Sequence, residues 1–172
     1  MLRAIVFCVL LALVKGQTTF VDKCILNDGD LPIHQYLEGC DEPPCLLPQL
    51  QDAVINVVFR APRTFRTLRT HATVFVTFLG GYSFEYVLGA DADTCNFLTN
   101  TYCPVLKDEV IQYTLNLYIE PIFFVGASAV IEFRVVGDGH EPVWCIRVPI
   151  RVVPAINNPA KQIEQDTTRL TA

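Results

Sequence analysis

The sequence predicts an all-β protein, a sandwich of about seven strands in two sheets. Short segments alternate apolar and polar side chains, which is the period of a half-buried strand. Glycine, proline and asparagine turns separate these segments, and no stretch has a sustained 3.6-residue period with helix caps. The 172 residues are enough for a single domain with a hydrophobic core of its own.

The first sixteen residues have the pattern of a secretory signal peptide. Arg3 supplies a positive start, Ala4–Val14 is uncharged and apolar, and Val14-Lys15-Gly16 resembles a cleavage site. A membrane anchor is the alternative, but a span needs about 20 apolar residues. We therefore expect a signal peptide at residues 1–16, a domain at residues 17–153 and a loose tail at residues 154–172.

Removal of the signal would change the charge and the cysteine count. The 13 basic residues become 11 against 18 acidic ones, so bulk charge argues against binding to nucleic acid. Loss of Cys8 leaves six of the seven cysteines, an even number that implies three disulfides in an oxidising compartment. Six cysteines allow 15 pairings. Short loops favour Cys40–Cys45 and Cys95–Cys103, which would leave Cys24 and Cys145 to pair.

The strands can be placed along the chain. Thr18–Lys23 is a candidate first strand, and Leu31–Glu38 is ambiguous. Later strands are predicted at Ala53–Arg60, Thr70–Leu79, Tyr82–Leu88, Val110–Ile119, Ala127–Val136 and Val143–Val153. The residues Gly137-Asp138-Gly139-His140 predict a hairpin turn.

The last strand has the clearest alternation. Trp144, Ile146 and Val148 share one face with Ile150 and Val152. Cys145, Arg147, Pro149 and Arg151 occupy the other face. Because proline cannot donate to a sheet ladder, Pro149 is expected at an edge, at a bulge, or with its nitrogen toward solvent.

The inward faces are wholly apolar and rich in aromatic residues. Alternation places Val76, Phe78, Tyr113, Phe133 and Trp144 inward together with Phe59, whereas Glu132 and Arg134 are predicted to face outward. Apolar burial of about 0.8 kcal/mol per CH₂ would suffice to bind a hydrophobic ligand. The same pattern also fits a closed core that is filled by its own side chains.

Catalytic and metal-binding patterns are weak. Ser83 and Ser128 lack the G-x-S-x-G context of a nucleophile elbow. The three histidines are predicted on a loop, an outward strand face and a turn, at His34, His71 and His140. Asp91 and Asp93 lie in a glycine/alanine loop, and Cys40 and Cys45 lack a C-x-x-C spacing or a nearby histidine. We predict neither an enzyme nor a metal or cofactor site.

Several segments together resemble a known family. They are F-V-D-K-C at Phe20–Cys24, C-D-E-P-P-C at Cys40–Cys45, the Cys95 to Cys103-Pro104 loop with the following K-D and Tyr113, and the closing W-C-I-R-V-P-I-R-V. The chain resembles the ML family, the MD-2-related lipid-recognition proteins. The most similar branch is that of the secreted cholesterol carriers of the Niemann-Pick type C system and their arthropod relatives.

The resemblance implies an immunoglobulin-like sandwich with an apolar cavity between its sheets. It also implies the disulfides Cys24–Cys145, Cys40–Cys45 and Cys95–Cys103. The cavity positions that it implies are Ile119, Phe123 and Phe124 after the Cys-Pro motif, and Phe84 and Tyr86 upstream. The relatives have a proline-rich upstream segment, which this chain lacks. Arg60 and Lys107 are candidate cations for a fatty-acid head.

Two functions follow from the resemblance. One is a secreted carrier that transports a sterol, fatty acid or other hydrophobic ligand and passes it to a membrane protein or receptor. The other is an innate-immune co-receptor that binds microbial lipid. The absence of an N-x-S/T sequon favours extracellular secretion over glycan-directed delivery to the endolysosomal lumen. A monomer is expected.

Overall fold

The computed structural model describes residues 17–76 and 81–156. The predicted signal peptide, most of the predicted tail, and residues 77–80, including the predicted cavity residue Phe78, lie outside these ranges. The described residues form eight strands: β1 His34–Leu37, β2 Cys45–Pro48, β3 Asp52–Arg60, β4 Arg69–Val76, β5 Tyr82–Tyr86, β6 Val110–Tyr118, β7 Ser128–Val136 and β8 Pro142–Val153. Among the residues that the structure describes, no helix is long and apolar enough to cross a membrane.

The strands form two sheets, as the all-β prediction required. The smaller sheet has the order β1-β3-β6, and the larger has the order β2-β8-β7-β4-β5. All pairs are antiparallel except β2 with β8, which is parallel. The apolar faces of the two sheets meet to form the core.

The predicted inward and outward faces are confirmed on β6 and β8. On β6, Ile111, Tyr113, Leu115 and Leu117 are buried, and their neighbours are exposed or half-buried. On β8, the residues from Trp144 to Val152 at every second position are buried. A period of two therefore located the core on these strands without tertiary information.

Pro149 lies where no ladder partner is needed. β2 begins to pair with β8 only at Cys45 opposite Ile150. On the same side of β8, the N–H of Arg147 donates to Asp22 and the N–H of Cys145 donates to Asp30. Since amides alternate in direction along a strand, the nitrogen of Pro149 faces the gap between the Asp22 bridge and β2.

The predicted first strand at Thr18–Lys23 is wrong. The N–H of Thr19 donates to Gln35, that of Phe20 donates to Asp41, and Asp22 forms an isolated bridge with Arg147. Because the partners of these three bonds belong to three different segments of the chain, the bonds form no continuous ladder. The ambiguous segment supplies the short strand β1, whereas β2 was not predicted.

Glu132 faces outward as predicted, but it is fully buried. The N-terminal segment covers it: the Ile25 N–H donates to Glu132 at 2.9 Å and the Asn27 amide donates at 2.7 Å. Arg147, its partner across the β7–β8 ladder, donates at 2.7 Å. Burial by itself would raise the pKa of Glu132, but these three donors hold it below its ordinary value.

All six cysteines of the described chain are paired, and the three pairings implied by the family resemblance are confirmed. The Cα–Cα distances are 5.9 Å for Cys24–Cys145, 5.3 Å for Cys40–Cys45 and 5.7 Å for Cys95–Cys103. The first of these attaches the N-terminal segment to β8, so it also keeps the cover over Glu132 in place.

Candidate functional site

A cavity of about 690 Å³ lies between the two sheets and opens at one end of the sandwich. The larger sheet contributes its wall through β4, β5, β7 and β8, and the other wall comes from the end of β6 and the segment that follows it. The lining residues are Leu47, Ala72, Val74, Val76, Tyr82, Phe84, Tyr86, Leu117, Ile119, Ile122, Phe123, Phe124, Gly126, Ala127, Ser128, Ala129, Ile131, Phe133, Ile150 and Val152.

Most of the cavity residues predicted from sequence lie in this lining. They are Val76, Phe84, Tyr86, Ile119, Phe123, Phe124 and Phe133. Tyr113 and Trp144 do not line it, and Phe78 lies outside the described residues. The structure therefore brings together seven of the ten predicted side chains at one end of the sandwich.

Tyr113 and Trp144 belong to the closed half of the interior. The Trp144 ring centroid lies 6.2 Å from that of Phe59 and 6.3 Å from that of Tyr113. The Tyr113 hydroxyl shares a 2.8 Å hydrogen bond with Thr70, which in turn contacts Thr94 at 2.7 Å. Burial raises the pKa of Tyr113 well above its ordinary value, although the Thr70 hydrogen bond acts in the opposite direction. These rings fill the core as packed side chains.

Small side chains explain why the other half is open. The cavity wall contains Ala72, Ala127 and Ala129, together with Gly126. Ala72 lies opposite Tyr86 on one side and Phe133 on the other. Large residues at these positions would fill the space between the sheets. The small inward residues are visible in the sequence, but the aromatic residues on the same faces gave no indication that a void lies beside them.

The mouth of the cavity is framed by aromatic residues from both walls. The rings of Tyr86 and Phe123 lie 5.6 Å apart between centroids, and those of Tyr82 and Phe84 lie 6.1 Å apart. Phe124 is 72% exposed and Ile122 is 76% exposed. Apolar side chains thus continue from the interior to the rim.

The segment after β6 is held in place by backbone hydrogen bonds. Leu50 N–H donates to Ile119 at 2.8 Å, and Ile119 N–H donates to Gln51 at 2.9 Å. The Gln49 amide donates to the Phe123 carbonyl. Gly126, with φ of +90°, donates its N–H to Val152 at 2.9 Å. The turn between β2 and β3 and the end of β8 therefore fix this side of the mouth.

Polar groups are sparse in the lining. It contains no charged side chain among the described residues, and the hydroxyls that its inward-facing side chains offer are those of Tyr82 and Tyr86. At the rim, the Tyr86 hydroxyl lies 3.5 Å from the Glu120 carboxylate, toward which it donates. An apolar ligand body would fit here with few polar contacts to fix its orientation.

The two cations proposed for a fatty-acid head are not at the cavity. Arg60 lines a separate groove of about 470 Å³ near the start of β8, and it donates to the Asp108 carbonyl at 2.8 Å. Lys107 lines neither space. Both residues follow apolar segments that end at the side of the sandwich opposite the cavity. Spacing in the sequence does not show at which side a segment ends, so it could not exclude these two residues.

The histidines and acidic groups considered for chemistry are dispersed. His34 contacts Thr18 at 3.3 Å, His71 contacts Glu85 at 2.6 Å, and His140 lies in the β7–β8 turn. Within the described residues, the only cluster with metal-ligand spacing is Cys24, Glu132 and Cys145. Its two sulfurs form a disulfide and its carboxylate pairs with Arg147, so each potential ligand is already used.

Two of the solved structures that match this chain are proteins from ant and chicken. A Niemann-Pick type C2 protein from Japanese carpenter ant is 17% identical with a TM-score of 0.62, and the match covers 77% of this chain and 98% of that one. Chicken MD-1 complexed with lipid IVa is 12% identical with a TM-score of 0.44, covering 74% and 83%. The likeness to the ant protein supports the sandwich fold.

The sequence comparisons add the family. None of the curated proteins compared with the chain matches it significantly. The model of the ML domain, however, matches residues 18–152, nearly all of the described sandwich. The chain belongs to the ML-domain family.

Proposed function

We propose that this protein is a carrier that holds one hydrophobic small molecule, a sterol or another lipid, between its two sheets. The cavity of about 690 Å³ supports the proposal most directly. Its volume lies within the roughly 300–1,000 Å³ that is typical of small-molecule sites. Its lining of aliphatic and aromatic side chains matches a ligand whose body is apolar.

Burial of such a ligand would supply ample free energy. A sixteen-carbon chain offers on the order of 13 kcal/mol at about 0.8 kcal/mol per CH₂, before the costs of ordering are subtracted. Hydrogen bonds are therefore not needed for affinity. The few hydroxyls in the lining would orient the polar head of the ligand.

The position of the cavity suits uptake and release. Its mouth lies at an end of the sandwich, where Tyr86 and Phe123 contact each other across the two walls. Rotation of these two side chains would open the mouth without breaking a strand ladder. We propose that the carrier works outside the cytosol, since all six described cysteines form disulfides.

Native mass spectrometry of the purified protein tests this function directly. We expect a bound mass that disappears after organic extraction and that identifies the lipid class in the extract. The extracted protein should then bind a fluorescent sterol or fatty acid at micromolar concentration, and the natural lipid should displace it. The proposal would be contradicted if the purified protein carried no bound lipid and if sterols, fatty acids and microbial lipids all failed to displace the probe.

A further inference from the structure

We infer that the mouth of the cavity selects its ligand by head-group charge: Glu120 disfavours anionic heads, and the ligand is an uncharged, hydroxyl-bearing lipid. This inference rests on the proposed function and specifies its ligand class. It concerns the one carboxylate that contacts a polar group of the cavity lining among the residues described.

The lining offers nothing that would stabilise a carboxylate head. No charged side chain lines the cavity in the described ranges, and the sequence of residues 77–80 contains no charged residue. The available side-chain donors in the described ranges are the isolated hydroxyls of Tyr82 and Tyr86, because Ser128 lies opposite the outward-facing Arg151. A carboxylate that leaves water needs a cation or several converging donors, because its desolvation is costly.

The charges beside Tyr86 are negative. Its hydroxyl lies 3.5 Å from Glu120. Burial raises the pKa of Tyr86, and the negative charges of Glu120 and Asp91 raise it further. A lipid anion placed at this hydroxyl would meet the same repulsion. A lipid hydroxyl could instead donate to Glu120 and accept from Tyr86, so an alcohol complements the pair.

Arg151 lies on a strand that lines the cavity, but its side chain is on the opposite face of the sheet. Arg151 lies opposite Ser128 on the β7–β8 ladder. Its neighbours Ile150 and Val152 line the cavity, whereas the Arg151 side chain is exposed on the outer face. Alternation along β8 thus directs this positive charge away from the ligand space.

Three probes with the same eighteen-carbon chain test the inference: octadecanol, octadecanoate and octadecylamine. Each would compete with an uncharged fluorescent sterol for the extracted protein at neutral pH. We expect octadecanol to bind at least about fivefold more tightly than octadecanoate, because Glu120 is exposed and the repulsion between two unit charges a few ångströms apart in water is already of this size. The amine should bind at least as tightly as the alcohol.

Substitutions identify the source of the discrimination. Glu120→Gln should reduce the preference for alcohol over carboxylate by about fivefold, because it removes the repulsion, and it should weaken binding of the amine. Glu38→Gln is the matched control, because Glu38 is exposed at the end of β1 and does not line the cavity. It should leave all three affinities within twofold of their original values.

The outcomes separate this inference from the proposed function. Equal binding of alcohol and carboxylate, or a difference that is unchanged in Glu120→Gln, would overturn the selectivity of the mouth and leave the carrier intact. Failure of all three probes to compete would overturn the carrier and this inference together.

Discussion

Ala72 on β4 lies directly opposite Tyr86 on β5, and the open space of the cavity begins at this pair. A single methyl group stands where the facing strand carries an aromatic ring. The size of the residue at position 72 therefore determines how much of the interior remains available to a ligand.

Replacement of Ala72 by phenylalanine should weaken ligand binding roughly tenfold or more, because the new ring occupies ligand space. The free energy of unfolding should change by only about 1 kcal/mol, because the ring enters an existing void. Displacement titration and thermal unfolding measure the two effects. Ala90→Phe, at an exposed turn position, is the control and should leave affinity unchanged. Unchanged affinity in Ala72→Phe would contradict the assignment of the cavity.

The Tyr86–Phe123 contact should control ligand release. Tyr86→Ala or Phe123→Ala should accelerate dissociation about tenfold, because affinity differences among variants of one site arise mainly in the dissociation rate. Stopped-flow measurement with a fluorescent lipid would show it.

The double variant tests whether the two rings act as one unit. Aromatic pairs contribute roughly 0.5–1.5 kcal/mol beyond their buried area, so the effects of the two substitutions should not add. Tyr102→Ala serves as the control and should leave the dissociation rate unchanged, because its ring is exposed and does not line the cavity. Strictly additive effects would show that the rings do not close the mouth together.

The sequence was sufficient to predict the sandwich but not the shape of its interior. Alternation on β6 and β8 identified the inward faces, since side-chain direction depends only on the strand period. The same rule placed Tyr113 and Trp144 inward without showing that they lie in the closed half. Whether an inward residue lines a void depends on the residues across the sheet, such as Ala72 opposite Tyr86.

Glu132 shows a second limit of sequence patterns. Its outward direction was predicted, but its burial depends on a segment more than a hundred positions earlier, whose Ile25 N–H and Asn27 amide donate to it. The disulfide from Cys24 to Cys145 lies directly beside this contact and attaches the segment to β8. Local alternation carries no information about such a cover.

Glu132→Ala should destabilise the protein by about 3 kcal/mol, because Arg147 would be left as a partly buried charge without its partner. Chemical denaturation would measure the loss. Glu85→Ala is the control, since its contact with His71 is exposed on the Glu85 side and such pairs contribute about 1 kcal/mol or less. Equal losses in the two variants would contradict the importance that we assign to burial.

The acid dependence of stability should also originate partly at Glu132. Its folded-state pKa lies below the unfolded value. Its contribution is therefore complete above the ordinary carboxyl pKa and is lost as pH falls through the lower folded-state pKa. Unfolding free energies measured from neutral to acidic pH should fall less steeply in Glu132→Gln than in the unmodified protein. Parallel curves would show that Glu132 is not linked to acid unfolding.

The Cys24–Cys145 bond should stabilise the fold more than the other two disulfides. It joins residues 121 positions apart, whereas Cys40–Cys45 spans 5. In the chain-entropy model, closing the longer loop stabilises by about 5 kcal/mol and the shorter one by about 2 kcal/mol. Paired cysteine-to-alanine variants, compared by denaturant unfolding, give the two values. The first variant should also expose Glu132 more often, because only the backbone hydrogen bonds of Asp22 and Asp30 would then attach its cover to β8. Hydrogen exchange at the Ile25 N–H would then increase in that variant and not in the Cys40/Cys45 variant, and protection that is equal in both would contradict the role of this bond in holding the cover.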